Sequence, residues 1–318
     1  VADSKVERIA MRFNGRFDLK NWKHIKEVVE KNQIQLINAQ SSYDRYTSAF
    51  AKLRYGLNCK VIHTRRQMPL SLGGPLQLII FNHQVDGIVA VSQQVGEALV
   101  KLGVKQKNLK IIHNGTPKEK YERLNEKRIE ELKKKFEITE DDVVIGCVSR
   151  MKNQMQLIQA LKLVNKPVKV IFCGIEPTEE MKSTISQFGL AHQVYFEGAV
   201  SGEDILNYYP LFTIKVLAST MEALSQSLLE AMALGVPVIA TAFAGNLDLI
   251  ENETNGLLFE DGNVGHLARN INSLIDNEPL KKQLIEKGKE TALVKFNIEN
   301  TISNYEQYFS KLVVEKHA

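Results

Sequence analysis

The chain has 318 residues, 44% of them hydrophobic and 25% charged, with a formal net charge of +4. Those values suit a globular chain of about two domains. No apolar run approaches the ~20 residues that a membrane span needs, and no secretory signal is visible at Val1. Cys59, Cys147 and Cys173 are odd in number and lie in or beside apolar runs, which speaks for buried thiols in a reducing compartment rather than a disulfide framework.

Residues 1–120 hold 20 Lys and Arg against 9 Asp and Glu, whereas residues 121–318 hold 21 against 28. A basic first half and an acidic second half suggest two domains with different partners. For the basic half two readings stand: an anionic acceptor or anionic membrane surface, or ordinary solvated lysines. The basic residues are not interleaved with stacking aromatics, which argues against nucleic acid.

In chain order, Glu7–Phe13 alternates like a strand. Asp18 is placed to cap a helix running to about Lys31, with Trp22, Ile25, Val28 and Val29 on one face. A strand over Gln33–Asn38, a helix over Ser42–Tyr55 with Tyr46, Ala49 and Leu53 inward, and a strand over Cys59–Thr64 follow. Pro75–Val85 reads as helical and Gly87–Ser92 as a strand. Ser92 is placed to cap a helix over Gln93–Leu102 that Gly103 stops, and Asn108–His113 reads as the next strand. This alternation is a β/α domain. Residues 116–142 read as a linker with an exposed helix at Glu122–Phe136. The acidic pair Asp141-Asp142 reads as a solvated turn rather than as metal ligands.

A second domain opens at Val143–Val148, a buried strand that ends in Ser149-Arg150-Met151-Lys152. Helix Asn153–Val164, strand Val168–Gly174, helix Glu180–Phe188 and strand Gln193–Phe196 lead to Ser201, placed to cap Gly202–Tyr209. Thr213–Leu217 and Val236–Ala240 read as strands. Between them Leu228, Leu229, Met232 and Leu234 form the apolar face of a helix that Gly235 ends. Strand, loop, helix and strand in that order mean a parallel pair with a crossover helix. Ligands in such sheets bind at the carboxyl ends of strands, where helix N-termini present free N–H groups, and the loop Thr220–Ser227 lies at that end. Asn255–Phe259 is the last strand, and His266–Asp276, Pro279–Lys295 and Ile298–Val314 read as helices.

Two carboxylates flank this loop. Glu222 precedes the helix and Glu230 lies about one turn inside it. A diphosphate at the helix mouth would have a carboxylate on either side. A carboxylate repels phosphate but is a good double acceptor for a vicinal diol, so sugar hydroxyls at one acid and ribose hydroxyls at the other would suit the pair. A plainer reading competes: Ser227-Leu-Leu-Glu230 is also a capping box, in which Glu230 bonds only the N-cap amide, and Glu222 is then a solvated loop acid.

The stretch from Glu222 to Glu230 resembles the Glu-x7-Glu signature of the family-4 (group 1) retaining glycosyltransferases, and the phrase Leu229-Glu-Ala-Met-Ala-Leu-Gly-Val-Pro-Val-Ile-Ala-Thr241 is similar to that family's. Asp86-Gly-Ile-Val-Ala-Val-Ser92 and Lys110-Ile-Ile-His-Asn-Gly115 look like the segments that end that family's N-terminal domain. The resemblance implies the GT-B fold, an α/β architecture of two Rossmann-like domains facing a cleft. It divides the chain into an acceptor-side domain over residues 1–116, a nucleotide-sugar domain over 117–297, and a final helix over 298–318 that crosses back to the first domain. On the order of 60 residues of the N-terminal domain, two βα units, are expected to be absent.

The resemblance also implies roles. Arg150 and Lys152 would hold the donor diphosphate together with the amides of Ser225, Gln226, Ser227 and Leu228. Glu230 would hold the ribose, and Glu222 with Ala223 and Leu224 the sugar. The backbone at Gly198–Val200 would border the base, and Gly245, in a Gly-rich loop, would let the backbone come close to a ligand. Two departures stand out: Ala223 replaces the more usual Gly, and only Met151 separates Arg150 from Lys152. At the strand end His63-Thr-Arg-Arg66, His63 reads as a structural histidine or as an acceptor-side group, and Arg65 and Arg66 would face an anionic acceptor. The implied activity is metal-independent, cofactor-free transfer from a UDP- or GDP-sugar to a hydroxyl acceptor, anionic or lipid-linked. The implied setting is bacterial cell-envelope glycan, lipopolysaccharide or glycolipid synthesis, in the cytoplasm or peripheral on the inner membrane. A nucleotide-sugar-binding protein without transfer and an epimerase of the same fold remain as alternatives. A nicotinamide dehydrogenase is disfavoured, since no G-x-G-x-x-G follows any strand.

Overall fold

The computed structural model describes residues 6–12, 15, 17–69 and 74–314. It forms two compact α/β units: residues 1–91, 95–112 and 304–318 make unit 1, and residues 92–94 and 113–303 make unit 2.

Unit 1 alternates helix and strand: α1 (Leu19–Lys31), β1 (Leu36–Ala39), α2 (Ser42–Tyr55), β2 (Lys60–Arg65), α3 (Pro75–Ile79), β3 (Gly87–Ala90), α4 (Gln93–Lys101) and β4 (Leu109–Ile111). Its four strands are parallel and lie in chain order, β1-β2-β3-β4. The caps follow from local chemistry. Asp18 accepts from the amides of Lys20 and Asn21 at the start of α1. Ser41 and Asp44 close a reciprocal capping box on α2, and Gly56 ends that helix in the left-handed region at φ 62°. Ile62, Val89 and Ile112 form a core against Tyr305, Tyr308, Phe309 and Leu312.

Two expectations fail here. The described part of Glu7–Phe13 is not a strand and is largely exposed; Phe13 lies outside the described residues. Alternation alone does not make a strand where no neighbour supplies the ladder bonds. Leu53 is 60% exposed, while Tyr46 and Ala49 are buried, so the inner face of α2 is narrower than expected. The helix from Pro75 also widens into a single π-type turn over Ile80–Gln84.

Unit 2 begins with a linker that carries α5 (Glu126–Lys135). This helix is not simply exposed: Ile129 and Leu132 are buried, and Arg128 forks onto Asp204 at 2.9 and 3.0 Å. Then follow β5 (Val144–Val148), α6 (Met155–Leu161), β6 (Lys169–Cys173), α7 (Glu179–Gln187), β7 (Val194–Phe196), a 3-10 stretch (Asp204–Leu211), β8 (Ile214–Leu217), α8 (Gln226–Ala233), β9 (Val238–Thr241), α9 (Asn246–Leu249), β10 (Leu257–Phe259), α10 (Val264–Asp276) and α11 (Glu278–Glu290). The helix expected over Pro279–Lys295 changes to a π-type turn at Thr291–Lys295. The last helix, α12 (Ile298–Val314), belongs to unit 2 through Ser303 and to unit 1 from Asn304.

The six strands of unit 2 are parallel in the order β10-β9-β8-β5-β6-β7. Every residue of β8 and β9 is buried, as expected for strands covered on both faces. Leu217, Val238 and Ala240 enter a core with Leu228, Leu229 and Met232 of α8. Ile214, Val216 and Ile239 enter another with Leu157 of α6 and Leu267 and Ile271 of α10. Gly146 in β5 is required by packing, because a Cβ there would overlap the ring of Phe212. Among the described residues, no helix is long and apolar enough to cross a membrane. Cys59, Cys147 and Cys173 are all buried and unbridged.

Candidate functional site

The strand order of unit 2 decides where its chemistry gathers. The chain builds β5-β6-β7 outward in one direction, then returns to place β8, β9 and β10 on the other side of β5. The reversal lies between β5 and β8, and the loops after those two strands leave its C-terminal end side by side. Asn153 N–H donates to the Ala218 carbonyl at 3.2 Å, which ties the two loops together.

The loop after β5 is braced by Gln154. Its amide donates to Ser149 Oγ at 2.9 Å and to the Arg150 carbonyl at 2.7 Å, while its oxygen accepts from Lys152 N–H at 2.6 Å. The Arg150 side chain is exposed and forms no ion pair among the described residues. Lys152 turns toward the other loop, with Nζ 3.6 Å from Glu222 Oε1. The same oxygen accepts from Ser219 Oγ at 3.1 Å, and Glu222 Oε2 has no partner among the described residues. Thus Lys152 and Glu222, far apart in sequence, meet at the C-terminal end of the central strands, with Arg150 on the same loop as Lys152.

Helix α8 starts one loop later. Ser225 occupies its N-cap position without a side-chain cap bond. The first amides of any helix lack intrahelical acceptors, and those of Gln226, Ser227 and Leu228 have no backbone acceptor elsewhere among the described residues. With the helix dipole behind them, such amides have the polarity that suits an anion. The capping-box alternative is therefore wrong by register. Ser227 lies inside the helix, so Glu230 is too far along it to serve the N-cap amide. Instead Glu230 is 7% exposed, and both of its oxygens are held. Oε1 lies 2.5 Å from Lys120 Nζ, and Oε2 accepts from the Tyr209 hydroxyl at 2.7 Å.

Gly245 plays a different part from the one expected. Its N–H donates to the Glu222 carbonyl at 2.9 Å, and a Cβ there would collide with the Ala223 backbone. The room that glycine leaves is filled by the Glu222–Ala223 loop, so Gly245 shapes that loop rather than opening a path to a ligand. Leu224 packs partly buried against the core of the α8 face. On the β7 side, Gly198 has φ +51° and its carbonyl accepts from Gly174 N–H at 2.6 Å. Val200 is partly buried. The loops after β6 and β7 are thereby fastened to each other. Gly174 also sits against the Ser149 carbonyl, where a Cβ would come within 2.7 Å, which continues the contact to the loop after β5.

In unit 1, His63 is fully buried edge-on to Phe81. Burial, then the nearby charges of Arg45 and Arg65, push its pKa down to about 3, so it is a neutral core residue with no exposed surface for an acceptor. Arg65 is half-buried with an unpartnered Nε, and burial followed by the repulsion of Arg45 lowers it to about 10. Arg66 is exposed. Asp142, read from sequence as part of a turn, accepts from Thr139 N–H at 2.7 Å and from Lys169 Nζ at 3.0 Å.

Three residues with a bearing on the site had no sequence signal. Lys120 sits in a charged linker, and Tyr209 reads as one of several apolar residues in Gly202–Tyr209. Lys215, in the middle of β8, reads as a polar interruption of a buried strand. It is fully buried, donates to the Val216 carbonyl at 2.9 Å, and is held below the ordinary lysine range by burial, against the pull of Cys147, Glu222 and Glu230.

Two family models match the chain, that of glycosyltransferase family 4 over residues 2–120 and that of the glycosyl transferases group 1 over residues 128–291. The glycosyltransferase MJ1069 of Methanocaldococcus jannaschii is 28% identical over 236 residues, 72% of this chain, and the chain spans only 59% of its length. A glycosyltransferase structure from Rickettsia africae ESF-5 superimposes with TM-score 0.85 at 22% identity, over 97% of this chain and 84% of that one. Anabaena Alr3699/HepE in complex with UDP superimposes with TM-score 0.79 at 23% identity, over 90% of this chain and 81% of the other. At these identities the superpositions establish the shared fold, and the match of the group 1 model to just over half of the chain establishes the family. A parallel sheet whose order reverses beside a basic loop and an acid-flanked one, followed by a helix with an open mouth, is therefore the C-terminal unit of a two-unit α/β protein that belongs to the group 1, family-4 glycosyltransferases.

Proposed function

We propose that the protein transfers a sugar, with retention of its anomeric configuration, from a nucleoside diphosphate sugar to a hydroxyl acceptor in glycan or glycolipid synthesis. One observation carries the reading: the uncapped mouth of α8 lies between Glu222 and Glu230, with Arg150 and Lys152 on the neighbouring loop. Open amides and two cations suit a diphosphate. Glu222, with Oε2 open, suits the hydroxyls of the sugar, with the Ala223 and Leu224 backbone beside it. Glu230 suits the ribose, and Gly198 and Val200 border the base.

In the step itself the bond from the anomeric carbon to the diphosphate oxygen breaks, and the acceptor oxygen bonds that carbon on the same face. The acceptor proton passes to the departing diphosphate. Arg150, Lys152 and the helix amides stabilise the charge that develops there, and no protein nucleophile is required. Arg65 and Arg66 are the proposed contacts for an anionic or lipid-linked acceptor, Arg66 being the exposed one of the two.

Calorimetric titration with UDP and then GDP tests the donor site. One of them should bind, and Glu230→Gln should weaken it about tenfold, the scale of one charge-assisted hydrogen bond. Binding of neither, or an affinity indifferent to Glu230→Gln, overturns the assignment.

A further inference from the structure

We propose that Lys120 and Tyr209 are positioning residues that set the preference of this site for a ribonucleotide. The inference rests on the donor-site reading above.

A carboxylate offers roughly four acceptor positions, two on each oxygen. On Glu230 one position of each oxygen is already taken: Lys120 Nζ holds Oε1 at 2.5 Å and the Tyr209 hydroxyl holds Oε2 at 2.7 Å. Among the described residues one position on each oxygen remains, which is the number that the two vicinal hydroxyls of a ribose fill. The grip is specific in chemistry as well as in number. A nearly buried carboxylate is costly unless paired, and Lys120 supplies the opposite charge. Tyr209 is wholly buried. Burial, and then the charge of Glu230, raise its pKa well above the ordinary value, so its hydroxyl stays a donor.

Both partners are themselves fixed. The Tyr209 hydroxyl also lies 3.2 Å from the Ser227 carbonyl, which pins the ring beneath the first turn of α8. Lys120 sits between two anchored residues. Thr116 donates through its hydroxyl to Gln226 Oε1 at 3.0 Å and through its N–H to the Phe296 carbonyl at 3.0 Å. Tyr121 is buried in the core beside α8. The lysine side chain is 31% exposed, and it also lines a hollow of about 730 Å³ with Pro117, Arg123 and Leu206. Its side chain therefore reaches from the nearly buried carboxylate to a hollow open to solvent. Lys120 and Tyr209 fix which way Glu230 faces, and the ribose reads that orientation.

The test is a titration with UDP or GDP, whichever binds, and with its 2′-deoxy counterpart. It uses the full chain, Lys120→Met, Lys120→Arg, Tyr209→Phe and Glu230→Gln, with the melting temperature of each variant recorded. The unaltered chain should favour the ribonucleotide about tenfold, one charge-assisted hydrogen bond. Lys120→Met and Tyr209→Phe should bring that ratio close to one while changing deoxynucleotide affinity little, and Lys120→Arg should restore it. A role confined to folding would lower both affinities in parallel and leave the ratio intact, which overturns the proposal. A ratio that Glu230→Gln abolishes but Lys120→Met and Tyr209→Phe preserve also overturns it, while keeping the donor site. An unaltered chain that binds neither nucleotide overturns the donor-site reading and this inference together.

Discussion

The two carboxylates on either side of the start of α8 are held in opposite ways. Glu222 sits on a half-exposed loop, with Ser219 and Lys152 on one oxygen and the other open. Glu230 is nearly buried, with a cation on one oxygen and a buried phenol on the other. The first is poised to change partners and the second is built to keep its orientation. That difference matches two tasks: contact with a sugar whose bonds rearrange, and recognition of a ribose that does not react.

The contrast can be broken at several points. The largest effect is expected at Glu222. Glu222→Gln keeps the shape but loses the charge beside Lys152, so transfer should fall on the order of 10²-fold, the scale of one transition-state contact. Affinity for the nucleotide alone should stay within about threefold, because the ribose side is untouched. A turnover assay beside the titration checks this, and a parallel loss of nucleotide affinity would erase the distinction between the two acids.

Next comes the loop that carries Glu222. Gly245→Ala places a methyl against the Ala223 backbone, an overlap of the kind that costs about 1–3 kcal/mol. The expected outcome is a lower melting temperature and a loss of transfer, with the ribonucleotide preference that Glu230 sets preserved. A preference that fell with it would mean that the two flanks are not independent.

The smallest effect is expected from Lys215. Its folded pKa is lowered by burial, so between that value and the ordinary lysine value of 10.5 the unfolded chain binds more protons than the folded one. Stability then rises with pH across that window. Lys215→Met removes the cost of burying the charge and should stabilise the protein near neutral pH by about 1–2 kcal/mol, or ~2–8 °C in melting temperature. The gain should shrink as the pH approaches 10.5. Melting curves from pH 7 upward measure it, and a loss of stability at neutral pH would show that the charge of Lys215 is needed beneath the two acids.

Periodicity and caps made most of the fold legible. The helices at Ser42–Tyr55 and Ile298–Val314 have the bounds that their patterns imply, because a capping serine, a terminal glycine and an apolar stripe act within a few residues of one another. The parallel β8-α8-β9 unit could be read for the same reason. The reading failed where the cause was not local. Glu7–Phe13 has the alternation of a strand and no strand neighbour among the described residues. Leu53 carries an apolar side chain to a part of α2 that nothing covers. Ser227-Leu-Leu-Glu230 has the letters of a capping box, but α8 begins at Gln226, and a shift of two residues turns a cap into a buried acid.

The sequence by itself determined that the chain alternates strands and helices, that an acid stands on each side of a helix start, and that Arg150 and Lys152 end a buried strand. These follow from residue type and spacing over a single supersecondary unit. Only the tertiary structure decided what each acid faces. Lys120 and Tyr209 reach Glu230 across 110 and 21 residues, and Lys152 meets Glu222 from another strand. Such pairings depend on the reversal of strand order at β5 and β8, which is a property of the assembled sheet and leaves no mark in any one stretch of the chain.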